Sequence, residues 1–129
     1  MIEITSGTPD NLVVVVAHGK VTGEDYEKVF IPAIEAKFKS HKKIRLLYHL
    51  AEDFSGYTVG AVWDDAKLGL GHVTAFEKVA IVTDVHWIIE AVKFFSFFLS
   101  CPVKVFGNDQ IAEANAWVAE PLRDIVGAG

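Results

Sequence analysis

The sequence has very little of what several common classes of protein site require. It contains one cysteine in 129 residues, Cys101, which cannot form an internal disulfide or a thiolate metal cluster. No glycine-rich phosphate loop is present, because Gly69 and Gly71 follow a predicted helix instead of joining a strand to a helix. The five histidines show no metal-binding spacing, since the closest two are eight positions apart. The sequence therefore predicts no metal, no cofactor and no catalytic centre.

Long apolar runs and excess positive charge are also absent. The stretch from Val85 to Leu99 is the most apolar, but polar residues interrupt it, and it is shorter than the ~18–20 residues of a membrane span. The first residues lack the basic flank and apolar run of a signal peptide. The net charge of −5 opposes binding to nucleic-acid phosphates. We therefore expect a cytoplasmic protein that does not bind nucleic acid.

Apolar and aromatic residues are abundant instead. They make up 51% and 12% of the chain respectively, which is enough to build a buried core in a chain of this length. No linker, repeat or low-complexity segment divides the sequence. We expect a single domain over residues 1–120, followed by a loose C-terminal tail over residues 121–129.

The hydrophobic pattern predicts an α/β fold with the element order ββαβαβαβα. Continuous β-branched runs, such as Leu12 to Ala17 and Val79 to Thr83, are typical of strands buried on both faces. Strands that alternate with helices form right-handed βαβ units, and these produce a mostly parallel sheet. The first two strands form a hairpin, so the five-stranded sheet is mixed, with helices packed on it.

Side chains with capping chemistry mark the starts of the predicted helices. Thr22 begins the first, with Asp25 at the capping-box position, and Thr58, Asp84 and Asp109 are expected to cap the later ones. Pro32 removes a backbone donor inside the first helix, which predicts a kink near Val29. The inward face of this helix is expected to consist of Tyr26, Val29, Phe30, Ala33, Ile34 and Phe38.

The predicted helix from Val85 to Leu99 has more apolar residues than one buried face requires. Eleven of its fifteen residues are apolar, and Ile89 and Phe97 fall in its polar arc. Packing against the neighbouring helix that carries Trp63 is one explanation. A hydrophobic ligand, a membrane interface or a homodimer contact is the other.

Two polar segments are further candidates. The loop from Ala51 to Thr58 follows a strand at the edge of the sheet where α/β proteins bind ligands, and Ser55 lies near a predicted helix start that favours phosphate. The more common role of such a segment is that of an ordinary capping loop. The basic residues Lys37, Lys39, Lys42 and Lys43 either complement a helix end or meet an anionic head group. Asp64 and Asp65 are typical of a solvated helix face. Cys101 is either a small buried apolar residue, which is the commoner case, or one member of a Cys–His pair.

Five segments of the chain, together with the order of its elements, point to a known family. They are Val21-Thr22-x-Glu24-Asp25-Tyr26, Phe30-Ile31-Pro32, Lys43-Ile44-Arg45-Leu46-Leu47, Gly60-Ala61-Val62-Trp63-Asp64-Asp65-Ala66-Lys67 and Phe76-Glu77-Lys78-Val79-Ala80-Ile81-Val82-Thr83-Asp84. In these segments the chain resembles the SpoIIAA-like proteins, which have a STAS-type fold and are also likened to CRAL-TRIO lipid carriers. The resemblance covers about Ile2 to Val118 and is most specific at Trp63-Asp64-Asp65.

The resemblance implies two different functions. CRAL-TRIO-like relatives bind lipids in an apolar cleft that a mobile helix closes. Anti-sigma-factor antagonists of the STAS type carry a phosphorylated serine, and here Asp53, Ser55 and Gly56 match that pattern while Phe54 replaces its first serine.

The apolar helix and the CRAL-TRIO-like resemblance together favour one hypothesis. It is a non-enzymatic module that binds a hydrophobic ligand, such as a lipid or acyl chain, in a helix-lined cleft. Peripheral contact with the inner face of the membrane, through the basic run, and a homodimer through the aromatic helix are further expectations. Glycines at 56, 60, 69 and 71 would act as hinges. The predicted ligand-binding residues are Phe54, Tyr57, Trp63, Leu68, Leu70, Trp87, Phe94, Phe95, Phe97 and Phe98. The alternative is a regulatory protein-interaction module that is switched by phosphorylation of Ser55.

Overall fold

A mixed, mostly parallel five-stranded sheet forms the centre of the fold, as the sequence predicts. The computed structural model describes residues 1–7, 9–58, 76–96 and 101–120, with the side chains of Ser6 and Phe95 left out. The five strands of this sheet are β1 (Ile2–Ser6), β2 (Leu12–Ala17), β4 (Ile44–Leu50), β6 (Phe76–Val82) and β7 (Val103–Phe106). They lie in the order β1-β2-β4-β6-β7. In this sheet β1 and β2 pair antiparallel, and the other neighbouring strands pair in parallel.

A second, very short sheet lies beyond the ends of these strands. It pairs β3 (Lys20–Val21) with β5 (Gly56–Tyr57) in parallel. The sequence predicts a loop at Gly56–Tyr57, because two residues are too few to show a strand periodicity. This pairing fixes the position of the loop that follows β4.

Helical segments cover both faces of the sheet. The first consists of α1 (Gly23–Asp25), a π-helical turn (Tyr26–Phe30) and α2 (Ile31–Ser40). Later in the chain come α3 (His86–Ser96), a 3₁₀ turn (Asn108–Gln110) and α4 (Ile111–Ala119). Residues of the first segment and of α3 share one core cluster with the sheet, and α4 packs on a second cluster. The predicted helix after Thr58 and the predicted tail lie outside the described residues.

The start of the first helical segment confirms the capping prediction, but its inward face differs. Thr22 and Asp25 form the predicted capping box. A π turn over Tyr26–Phe30 then precedes Pro32. It includes Val29, the position near which the missing N–H of Pro32 was expected to kink the helix. Because the π turn shifts the helical phase, Tyr26 and Phe30 are buried while Val29 is exposed. The prediction of an inward Val29 is therefore wrong.

Two further capping predictions are also wrong. The backbone N–H of Val85 bonds to the hydroxyl of Thr83 at 3.0 Å, and both carboxylate oxygens of Asp84 accept from Asn108 instead. At the last helix, a 3₁₀ turn comes first, and the Gln110 side chain accepts from the N–H of Gly107 where Asp109 was expected to cap. In each case a neighbouring residue already satisfies the backbone, so the acidic residue has no capping role.

Two buried cations from the sheet hold the C-terminal end of α4. Nη1 of Arg45 donates to the carbonyl oxygens of Val118 and Glu120, at 2.7 Å each. Nζ of Lys78 donates to the carbonyl of Trp117 at 2.6 Å and lies 4.5 Å from the centre of its ring. The last carbonyls of a helix have no partner inside it, and cations are favourable there. These contacts explain why strand β6 tolerates a buried lysine.

Glu77 balances the charge of this cluster. Its carboxylate accepts from Nε of Arg45 at 2.7 Å and from Nδ2 of Asn11 at 2.9 Å. Burial alone would raise the pKa of Glu77, but the hydrogen bonds from Arg45 and Asn11 and the charges of Arg45 and Lys43 outweigh it and hold that pKa below its ordinary value. The ionised form of Glu77 therefore stabilises the fold.

This lowered pKa predicts a pH-dependent effect of Glu77→Gln. The folded-state pKa lies below the unfolded value of about 4.3. The contribution is therefore complete above that pH and is lost as the pH falls through the folded-state pKa. At pH 7 we expect the substitution to reduce the free energy of unfolding, measured in urea, by about 1–3 kcal/mol. At acid pH the difference from the wild type should shrink.

Glu35→Gln is the matched control, because Glu35 is exposed on α2. Its effect on unfolding should be small at every pH. A Glu77→Gln effect that stays constant as the pH falls would contradict the assignment of stability to the ionised carboxylate.

Candidate functional site

Three aromatic side chains lie in a row near the carboxyl end of β4. The ring centroids of Phe54 and Tyr57 are 5.0 Å apart, and those of Tyr57 and Trp87 are 6.3 Å apart, both in edge-to-face geometry. We call Phe54, Tyr57 and Trp87 the aromatic row. Phe54 and Tyr57 come from the loop after β4, whereas Trp87 lies in the first turn of α3. The structure therefore brings together three of the predicted ligand-binding residues.

Backbone hydrogen bonds fix the loop that carries Phe54 and Tyr57. The N–H of Ser55 donates to the carbonyl of Gly19 at 2.8 Å, and that of Thr58 donates to Val21 at 2.9 Å. Between them, Gly56 has φ = 139°, a conformation that favours glycine. The hinge predicted at Gly56 is thus a residue of the β3–β5 pairing.

A side-chain contact ties the same loop to the end of β2. Nδ1 of His18 lies 3.0 Å from the Asp53 carboxylate, and its Nε2 lies 3.6 Å from that of Glu3. Asp53 directly precedes Phe54. The loop is therefore anchored on both sides of the first ring of the aromatic row.

A chain of tyrosine hydroxyls continues from the aromatic row into the core. The hydroxyl of Tyr57 donates to that of Tyr48 at 3.2 Å, and the hydroxyls of Tyr48 and Tyr26 are 3.0 Å apart. Tyr26 and Tyr48 are buried, whereas Tyr57 is half-buried. The site thus combines an apolar surface with a polar line beneath it, a combination common in ligand-binding clefts.

Exposed rings extend the apolar surface along α3. Trp87 is 56% and Phe94 is 61% exposed, and a spacing of seven residues places both on one side of the helix. Ile88, which lies about 100° further round the helix, packs into the core. This arrangement confirms that α3 carries more apolar surface than the sheet covers.

The other predicted ligand-binding residues cannot be placed at this site. Trp63, Leu68, Leu70, Phe97 and Phe98 lie outside the described residues, as do Gly60, Gly69 and Gly71, and so does the side chain of Phe95. Their membership of a cleft stays a prediction.

The basic run lies at the amino-terminal end of strand β4, whereas Phe54 and Tyr57 of the aromatic row follow its carboxyl end. Lys39, Lys42 and Lys43 are exposed around the end of α2, just before β4 begins, while Lys37 donates to the carbonyl of Asp10. The aromatic row is near the end of β4. A strand of seven residues separates these edges by roughly 20 Å. The two features therefore do not form one site.

Sequence reasoning missed a polar cluster of His49, Asp84 and Asn108. It lies at the carboxyl ends of the parallel strands, on the side of the sheet that α4 covers. Nε2 of His49 lies 2.8 Å from Oδ1 of Asn108, whose Nδ2 donates to Asp84 at 3.1 Å. Each residue lies at or just after the end of a parallel strand, and this position was the signal available in the sequence. All the hydrogen bonds join members of the cluster, so it connects the ends of β4, β6 and β7.

Chemistry based on the cysteine or on metals finds no support in the described part of the chain. Burial raises the pKa of the half-buried Cys101 thiol, which disfavours the reactive thiolate. No group of three or more potential metal ligands occurs among the described side chains. No helix of residues 1–7, 9–58, 76–96 and 101–120 is long and apolar enough to cross a membrane.

Comparisons with known proteins agree on the type of fold. The family model described as SpoIIAA-like matches residues 12–119. A crystal structure of an uncharacterised protein with a SpoIIAA-like fold from Shewanella loihica is 29% identical, with a TM-score of 0.73 and coverage of 92% of both chains. No curated protein matches the chain. The CRAL-TRIO likeness stays a prediction, since neither the family model nor this crystal structure refers to it.

The hydroxyl chain predicts unequal effects of two tyrosine substitutions. Tyr48→Phe removes the central hydroxyl and breaks both bonds, so we expect a loss of about 1–3 kcal/mol in the free energy of unfolding. Tyr57→Phe removes only the outer hydroxyl of a half-buried ring and should cost less. Urea unfolding of both variants measures the difference. If the two substitutions cost the same, the hydrogen bond between Tyr48 and Tyr26 contributes nothing to stability.

Proposed function

Since the chain belongs to the SpoIIAA-like family, we propose that it is a non-enzymatic binding module whose ligand is a small hydrophobic molecule held against the aromatic row. The observation that carries the proposal is the exposure of Trp87 in contact with Tyr57. A soluble fold gains nothing from leaving an indole ring in water, whereas a bound apolar molecule would cover it.

The chemistry of the site favours a ligand that contains an acyl chain. The rings of Phe54, Tyr57 and Trp87 offer aromatic contact surface, and Phe94 continues it along α3. Each methylene buried on such a surface contributes about 0.8 kcal/mol. Exposed lysines flank this surface, since Lys20 pairs with Gly56 and Lys93 precedes Phe94, and they offer a positive charge to the carboxylate of a fatty acid.

The separation of the basic run from the aromatic row refines this proposal. One membrane surface cannot easily meet both features, because they lie at opposite edges of the sheet. A ligand that enters the fold therefore fits the geometry better than a flat membrane contact. Contact of Lys39, Lys42 and Lys43 with anionic head groups is a separate proposal.

A binding measurement with dodecanoate tests the main proposal. Titration calorimetry should show saturable binding, and Trp87→Ala should weaken it about tenfold or more. Burying a large apolar side chain contributes roughly 1.5–3 kcal/mol, and 1.4 kcal/mol corresponds to a factor of ten in affinity. Val29→Ala is the matched control, since Val29 is an exposed apolar residue outside the row.

Two outcomes would contradict this proposal. One is the absence of saturable binding by a folded wild-type protein. The other is an equal affinity of the wild type and Trp87→Ala. Flotation with anionic vesicles separates the membrane proposal, because replacing Lys39 and Lys42 by glutamate should abolish flotation without changing dodecanoate affinity.

The second candidate function, a phosphorylation switch, is supported by the position of Ser55. Ser55 follows Phe54 in the anchored loop. Because its side chain is exposed, its hydroxyl is accessible to a kinase. A phosphate would add up to two negative charges beside Asp53, and repulsion would weaken the contact between this loop and His18. The aromatic row would then respond to the modification.

The phosphorylation proposal predicts a charge-dependent change of partner. In pull-downs from the native cells, Ser55→Asp should alter the set of bound proteins, while the uncharged Ser55→Asn should not. Mass spectrometry of the purified native protein should find phosphate on Ser55. An unmodified Ser55, together with identical partners for both variants, would exclude the switch.

A further inference from the structure

One edge of the central sheet remains open for pairing. In the described part of the chain, β1 pairs only with β2, and the sheet ends there. An outer strand presents unpaired N–H and C=O groups that can pair with another strand. Proteins usually protect such an edge with charged residues, above all lysine, or with proline or a bulge. β1 contains no lysine, proline or bulge, and Glu3 is its one charged residue. At the other edge, β7 is shorter and carries the exposed Lys104.

The backbone pattern shows which groups of β1 point outward. His18 donates to the carbonyl of Met1, and Gly7 donates to that of Leu12. Hydrogen-bonded pairs alternate along an antiparallel ladder, so Glu3 and Thr5 pair with β2. Ile2, Ile4 and Ser6 therefore direct their N–H and C=O groups away from the sheet.

This edge is complementary to itself. If two copies of β1 pair antiparallel about a two-fold axis at Ile4, then Ile4 faces its own copy and Ile2 faces Ser6. Every outward N–H and C=O of the strand is then paired. The same register places Glu3 opposite Thr5, whereas a shift that moved the axis to Glu3 would bring two carboxylates together.

An apolar groove beside the edge leaves room for the second copy. It has a volume of about 350 Å³ and is lined by Ile4, Val13, Ala33 and Ala36, with Thr5, Lys37 and Ser40 at its margin. Ile4 lies on the side of the sheet covered by α2. The partner's Ile4 would project on the same side, next to these small alanine side chains.

We propose that β1 is a homodimer interface, at which two chains join their sheets into one continuous ten-stranded sheet. The count of strands follows from five in each copy. This interface is distinct from the aromatic row, which lies near the carboxyl end of β4. The proposal therefore does not depend on the proposed ligand. Such a dimer would leave both aromatic rows accessible.

Charge changes at Thr5 test the register. Thr5→Glu places a carboxylate opposite Glu3 of the second copy and should weaken dimerisation, whereas Thr5→Lys should strengthen it. Two symmetric cross-strand pairs change in each dimer, which corresponds to a change of about two- to thirtyfold in Kd. Glu3→Lys combined with Thr5→Glu restores opposite charges and should recover the dimer. Sedimentation velocity over a concentration series measures each Kd, and circular dichroism confirms folding.

Mixed cysteine variants supply an independent measurement. In a Cys101→Ser background, Glu3→Cys chains mixed with Thr5→Cys chains should form an intermolecular disulfide, because facing residues at such positions are about 4.5 Å apart. Thr5→Cys chains alone should not. A wild type that is monomeric up to millimolar concentration would overturn the proposal. So would a dimer that responds equally to Thr5→Glu and Thr5→Lys, since its interface would lie elsewhere.

Discussion

The parallel pairing of β4 with β2 and β6 is the constraint on which the rest of the structure depends. β4 lies at the centre of the sheet, so its successive side chains must serve opposite faces. Tyr48 points towards the first helical segment and takes part in the hydroxyl chain, while Arg45 points towards α4 and holds its last carbonyls. A shift of one residue in the pairing would exchange the two environments. It would bury Arg45 among apolar rings and remove Tyr48 from Tyr57.

The parts of the fold that follow from hydrophobic periodicity were predictable from the sequence. The five main strands, the mixed sheet and the capping box at Thr22 are all observed. The errors occur where two local partners compete for the same backbone group. Thr83 bonds to the N–H of Val85, which leaves Asp84 to Asn108, and neither outcome shows in the pattern of apolar residues. The burial of Lys78 is similarly invisible, because it depends on carbonyl groups 39 or more residues away.

The candidate site was predictable by residue type but not by arrangement. The aromatic side chains of the sequence include Phe54, Tyr57 and Trp87, and the structure brings these three rings into contact. Their role in binding a ligand stays a prediction. The depth of the site is not visible in the sequence, where Tyr26 belongs only to the inward face of the first helix. The separation of the basic run from Phe54 and Tyr57 was available in the sequence, because the two segments flank the same predicted strand, Ile44–Leu50. The length of that strand places the two surfaces roughly 20 Å apart.

The π turn at Tyr26–Phe30 has a consequence for how this site could have arisen. A π turn contains one residue more than an α-helical turn requires. Removing that residue would rotate the preceding part of the helix by about 100° relative to α2. Tyr26 would then leave the interior, and its hydroxyl would no longer reach Tyr48. The innermost member of the hydroxyl chain thus owes its position to a single inserted residue, which is a change in chain length and not in side-chain chemistry.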